Sequence, residues 1–308
     1  MLTRRLFTGL AMAVATLAAA GSAVAQDAPT VTIEHAQGKT EVRQNPKRVV
    51  VLDLATLDTL DALGVEVIGV PGGVKPERLL KYDADRYTKV GTLFEPDYEA
   101  INALDPDLVI VGNRSAAKYK DVSVIAPTID LTVDQKDFTG SAIATARMLG
   151  SLFGKTAEVE QMVGRLNAAM AQSRTIAADA GRGMLVLTTG GKMSAFGPGS
   201  RFGVLYDAFG VQAADPDLEV GLHGQAISFE FILDKNPDWL FVLDRDAAIG
   251  REGTPAQQFL DNEIVRRTTA WKQGQVVYLK ASNWYLLGGS LPALLENVEQ
   301  VQAALAKS

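Results

Sequence analysis

Tyr98-Glu99-Ala100-Ile101-Asn102-Ala103-Leu104-Asp105-Pro106-Asp107-Leu108-Val109-Ile110-Val111-Gly112-Asn113-Arg114 has a counterpart 131 residues later, Phe229-Glu230-Phe231-Ile232-Leu233-Asp234-Lys235-Asn236-Pro237-Asp238-Trp239-Leu240-Phe241-Val242-Leu243-Asp244-Arg245. An aromatic residue, Glu, Ile, Pro-Asp, an apolar run and Arg keep one spacing in both copies. Each copy predicts a short helix, a Pro-Asp turn, a four-residue buried strand and an arginine just past the strand's carboxyl end. Open α/β sheets place ligand-contacting groups at that end of their strands. Two similar lobes that each offer an arginine imply a cleft for an anion.

The duplication extends upstream. Val49-Val50-Val51-Leu52 followed by Leu60-Asp61-Ala62-Leu63-Gly64-Val65 is matched by Met184-Leu185-Val186-Leu187 followed by Tyr206-Asp207-Ala208-Phe209-Gly210-Val211. Each reads as strand, loop, helix and a glycine at the helix end, where a left-handed residue is needed. The order strand, helix, strand, helix, strand predicts parallel βαβ units with right-handed crossovers in both halves. The expected fold class is therefore α/β, with two doubly wound lobes at 26–140 and 179–308.

Between them, at 141–178, apolar residues recur with helical period at Leu149, Leu152, Val159, Met162, Val163, Leu166, Ala169 and Met170. This predicts a long connecting helix, a stiff strut that permits small rocking between lobes and disfavours wide hinge closure. Gly154-Lys155-Thr156 is a point where it would divide. Ser290-Leu291-Pro292 opens a last helix through Leu305, with Ser290 as N-cap.

Residues 1–25 stand apart from the fold. Arg4-Arg5, the apolar run Leu10 to Ala20 and Ala23-Val24-Ala25 before Gln26 form the n-region, h-region and cleavage site of an export signal. Thr3-Arg4-Arg5-Leu6-Phe7 also fits a twin-arginine signal, so Sec and twin-arginine export both stay open. The chain has no cysteine, which excludes disulfides, thiolate metal sites, a cysteine nucleophile and a lipid-modified N-terminal Cys. The expected address is the periplasm, without a lipid anchor. Loss of the signal leaves 28 basic against 36 acidic side chains, a net charge of −8, which argues against a nucleic-acid partner.

Several side chains are candidates for chemistry. Arg114 and Arg245 are placed by the same motif; the alternative for each is a surface arginine paired with a carboxylate such as Asp246. Arg201 lies in the glycine-rich Phe196-Gly197-Pro198-Gly199-Ser200-Arg201-Phe202-Gly203, a loop expected to face the cleft. Three converging guanidiniums would bind a compact polyanion through charge-assisted hydrogen bonds.

Of the two histidines, His35 falls in an N-terminal hairpin pattern and reads as structural. His223, in the polar loop Asp217 to Gln225, is either a solvated loop residue or a ligand. Trp284-Tyr285 follows the strand Val276–Leu279; the pair either caps the core or faces a ligand, and a tyrosine oxygen is a hard donor suited to Fe(III). No Walker loop, G-x-S-x-G elbow, zinc-type histidine pair or dinucleotide fingerprint occurs.

With the signal, Pro46-Lys47-Arg48-Val49-Val50-Val51, the repeated Glu...Pro-Asp-strand pattern and the helical connector, the whole mature chain resembles the periplasmic solute-binding proteins of iron-siderophore and cobalamin ABC importers. These are class III binding proteins, and the catecholate subgroup is the most similar. The resemblance implies a monomer that is not an enzyme, has no intrinsic cofactor and takes a ferric catecholate siderophore as ligand. It implies Arg114, Arg201 and Arg245 on the catecholate oxygens, with Trp284 beside them, and His223 and Tyr285 completing the iron shell. It further implies Glu99 and Glu230 as contacts for the ABC permease subunits; the alternative is that both merely complement their helix dipoles. A haem or cobalamin carrier, and an exported enzyme acting on metal chelates, are the competing readings.

Overall fold

The computed structural model describes residues 29–221 and 223–306, so the export signal read at 1–25 lies outside the described residues. β1 (Thr30–His35) and β2 (Gly38–Arg43) form an antiparallel hairpin. His35 is tied into it, its Nε2 2.9 Å from Thr40 Oγ1 and its ring against Tyr119.

β3 (Val49–Val51), β4 (Gly69–Val70), β5 (Thr88–Lys89), β6 (Leu108–Val111) and β7 (Thr128–Asp130) make a parallel sheet of order β5-β4-β3-β6-β7. Every residue of β3 and β6 is fully buried, as a parallel sheet covered on both faces requires. The strand order reverses between β3 and β6, and Arg114 follows β6 at this switch point.

The second sheet contains β8 (Arg182–Thr189), β9 (Lys192–Phe196), β10 (Gln212–Ala213), β11 (Gln225–Ala226), β12 (Trp239–Asp244) and β13 (Val276–Tyr278). Its order is β11-β9-β8-β12-β13, with β10 also on β8. Here the expectation of parallel units throughout needs correction. β8, β10, β12 and β13 are parallel, but β9 turns back antiparallel to β8 and β11 pairs antiparallel to β9. The turn is Gly190-Gly191, with φ of +55° and +72°, the left-handed pair that closes a two-residue hairpin.

The repeated segment has a physical basis in both lobes. Asp107 accepts hydrogen bonds from the backbone N–H of Lys47 and Arg48, at 2.8 and 2.9 Å, just ahead of β3; Asp238 accepts from Arg182 N–H, 2.7 Å, at the start of β8. The Pro-Asp carboxylate therefore pins each lobe's central strands together. Asp105 and Asn236, the same position in the two copies, both end their helices left-handed, at φ +44° and +40°.

The connector is two helices, Phe138–Leu152 and Thr156–Ala177, divided at Gly154 with φ +65°, so a single rod is not formed. Gly150 lets them approach: a Cβ there would come within 2.7 Å of Val159. Arg147 donates to both carboxylate oxygens of Glu160 across the same junction, at 2.7 and 2.9 Å.

The terminal helix Leu291–Leu305, N-capped by Ser290 with Pro292 in its first turn, packs along the second connector helix and also meets the first lobe's Leu54–Ala62 helix. One apolar core runs through both connector helices, the terminal helix and one face of the second sheet, and includes Leu63 and Val133 of the first lobe. At roughly 1.5–3 kcal/mol for each fully buried Leu or Val, this shared core fixes how the lobes sit.

Candidate functional site

Arg114, Arg201, Arg245 and Tyr285 come together where the lobes meet. Arg114 projects from a loop held by its neighbours. Asn113 is left-handed (φ +49°), donates from Nδ2 to Asp53 Oδ1 (3.1 Å) and from its backbone to Thr132 Oγ1 (2.8 Å). Asp53 is itself buried and caps the Leu54–Ala62 helix, so the Arg114 loop is anchored to the first lobe's framework. Arg201 follows a turn in which Gly199 has φ +68° and donates to Asp207, while buried Ser200 closes onto the Gly197 carbonyl. Arg245 opens the short helix Arg245–Ala248, capped by Asp244.

All three guanidiniums bond to one residue. Arg114 Nη2 and Arg201 Nη2 donate to the Tyr285 carbonyl at 2.7 and 3.1 Å, and Arg245 Nε donates to the Tyr285 hydroxyl at 2.7 Å. Their Cζ atoms stand 5.1, 4.5 and 5.5 Å from the Tyr285 ring centre, and Arg201 also lies 5.0 Å from the Phe202 ring. Arg245 further donates to Thr189 Oγ1 (3.1 Å), and Thr189 donates to Asp246 (2.9 Å).

Burial, and next the charge of Arg114, lower the pKa of Arg201. Burial would raise that of the Tyr285 phenol, but the Arg245 hydrogen bond and the charges of Arg201 and Arg245 outweigh it and hold it below the usual tyrosine value. Asp246 keeps its carboxyl low against its burial, through the Gly190 N–H and Thr189. The site is a concentrated cationic patch around a phenol whose pKa is lowered, suited to an oxyanion-rich ligand.

The aromatic pair divides. Trp284 is only 3 % exposed, packs edge-on against Phe209 at 6.0 Å and belongs to the core, so the expectation that it lines the ligand is not what the structure shows. Tyr285, next to it on the helix Ala281–Leu286, is half-buried among the arginines. His223 is exposed; among the described residues no hydrogen bond, ion pair or ring contact joins it to this group. Its loop is nevertheless pinned close by, because Gly224 lies directly against Phe196, whose ring packs on Phe202 beneath Arg201.

Glu99 and Glu230 are exposed in the first turns of their helices, one on each lobe, capped by Asp97 and Ser228. Sequence reading did not single out Thr189, Asp53 or Asn113. Asp53 carried a signal, an Asp immediately before a helix, and Thr189 another, its position before Gly190-Gly191.

Residues 49–282 match the periplasmic binding protein family. The chain belongs to this family. Among periplasmic binding proteins, the petrobactin-binding protein YclQ of Bacillus subtilis is 40% identical over 282 residues, covering 90% of this chain and 89% of YclQ. The crystal structure of YclQ superposes with a TM-score of 0.88, covering 91% of this chain and all of that one. The ferric-anguibactin-binding protein FatB of Vibrio anguillarum is 34% identical, over 86% of this chain and 84% of FatB. The catecholate-siderophore binding protein VctP of Vibrio cholerae has a TM-score of 0.84 at 36% identity, covering 91% of this chain and all of VctP. The two-lobed α/β architecture of this periplasmic binding protein is therefore that of class III.

Proposed function

We propose that this protein captures a ferric siderophore of the catecholate type between its lobes and delivers it to an inner-membrane ABC importer. The observation that carries the reading is the convergence of Arg114, Arg201 and Arg245 on Tyr285. Iron(III) held by three doubly deprotonated catechols carries three negative charges, so three guanidiniums neutralise it and donate to its oxygens. A bis-catecholate leaves two iron positions open. The Tyr285 oxygen, a hard donor with a lowered pKa, suits one of them, and His223 on its exposed loop is the candidate for the other. Relatives named for petrobactin, anguibactin and catecholate binding support the ligand class. The protein works without turnover, as a monomer free in the periplasm.

Titration of the mature protein with ferric bis- and tris-catecholates, a ferric hydroxamate and haem tests this. Buried Trp284, adjacent to Tyr285, reports through fluorescence quenching. The catecholates are expected to bind with Kd on the order of nanomolar, about −12 kcal/mol. Tight binding of the hydroxamate or haem alone would overturn the ligand class.

Delivery is assigned to Glu99 and Glu230, exposed at equivalent places on the two lobes and disposed to pair with permease arginines. Reversal of both to Lys should abolish uptake into cells while binding in solution is retained. Uptake at the wild-type rate would remove them from docking.

A further inference from the structure

We infer that Tyr285 is the positioning residue for the whole arginine cluster, a ring and a carbonyl on which three like charges from three separate segments are gathered before any ligand arrives. The inference rests on the functional reading above but concerns the free protein. Among the described residues neither Arg114 nor Arg201 forms an ion pair, and Arg245 only approaches Asp246 at 4.0 Å. Each guanidinium repels the other two, and all three lie within 5.5 Å of one ring centre.

Tyr285 is what opposes that repulsion. Its carbonyl takes two donors, its hydroxyl a third, and its ring lies within 5.5 Å of all three Cζ atoms. A π face attracts each cation without neutralising it, so the cluster keeps its charge for the ligand. A carboxylate there would hold the arginines equally well but cancel part of the field.

Tyr285 is also the right fixed point. It packs against the main core cluster of each lobe, and its neighbours Trp284 and Leu286 are 3 % and 5 % exposed. Arg114 belongs to the first lobe and Arg201 and Arg245 to the second, so one buried-edge residue sets the distance between charges carried by different lobes.

Iron ligation and positioning are separable with a hexadentate tris-catecholate, which saturates the iron and leaves no place for a phenolate. With this probe Tyr285→Leu should lose on the order of 100-fold in affinity, since each cation–π contact contributes roughly 0.5–2 kcal/mol and 1.4 kcal/mol is tenfold. Both variants keep the main-chain carbonyl that Arg114 and Arg201 use, so Tyr285→Phe, which restores the ring, should recover most of the loss, to within about tenfold of wild type. Arg201→Gln should weaken binding less in the Leu background than in the wild type, the non-additivity expected of interacting groups.

Affinity of Tyr285→Leu within about threefold of wild type, or a Phe variant as weak as Leu, would overturn the inference. Arginine side-chain NMR of the free wild-type protein keeps the test independent of variant folding. Three ordered Nε–H signals displaced by a ring current are expected, and mobile signals at ordinary shifts would refute the platform. A wild type that shows these signals but ignores the tris-catecholate sinks the functional reading and leaves the platform standing.

Discussion

At the scale of residues, Arg201 and Tyr285 both hold their protons less tightly, for different causes: burial and then Arg114 lower the arginine's pKa, while the Arg245 hydrogen bond and the charges of Arg201 and Arg245 lower the phenol's against its burial. Tyr82, Tyr98, Tyr206 and Tyr278 move the other way, burial raising all four. Alkaline titration of tyrosinate absorbance should therefore show Tyr285 ionising ahead of those four, and Tyr285→Phe should erase that early step. Because its folded pKa lies below the unfolded value of about 10, the stability Tyr285 contributes by ionising is present above that pH. It is lost as pH falls through the folded value. A Phe variant that deletes a late ionisation instead would contradict the arrangement of charges described.

At the scale of elements, what could be read from the chain is what local chemistry encodes. The Pro-Asp turns, the buried runs of β6 and β12 and the arginines after them follow from side chains within a few positions of one another, and the 131-residue repeat doubled the signal. β9 escaped because Met193-Ser194-Ala195-Phe196 has little apolar periodicity, although Gly190-Gly191 just ahead of it is a hairpin signature. The partners of Arg245 and of Asn113, which holds the Arg114 loop, were hidden for another reason. Thr189 and Asp53 lie 56 and 60 residues from Arg245 and Asn113, and only the fold joins them. Trp284 and Tyr285 were legible as an aromatic pair, but on a helix adjacent side chains diverge by about 100°. Which one faced the arginines was decided by Phe209 and the core around it.

At the scale of the whole molecule, the lobes are joined by charge as well as by apolar packing. Arg78, on the first lobe's Glu77–Asp83 turn, donates to Asp58 at 2.6 Å and to Asn283 at 3.3 Å, and pairs with Glu296 of the terminal helix. Ser290 donates to the other oxygen of Asp58, and Asn283 and Lys280 hold Glu296. The Asp58 side chain is 1 % exposed, and burial raises its pKa against the opposing pull of Ser290 and Arg78.

Since the folded value is raised, the contribution of Asp58 to stability is full below 3.8 and is lost as pH rises through the folded pKa. Arg78→Ala removes a group that restrains that rise and leaves a carboxylate buried without its cation. The variant should lose about 3 kcal/mol near neutrality. Urea unfolding at pH 4 and pH 7.5 should show the deficit widening with pH, and an equal deficit at both would count against the network.

This bridge depends on Asn283, Ser290 and Glu296, and both sheets are complete in chain order by Tyr278. A nascent polypeptide can thus finish every strand and still have its two halves unregistered, with Arg114 on one side and Arg245 on the other. Tyr285 and the Leu291–Leu305 helix supply the register. The arginine group is consequently the last part of the molecule to be completed along the chain, since it cannot close until the residues after Tyr278 are in place.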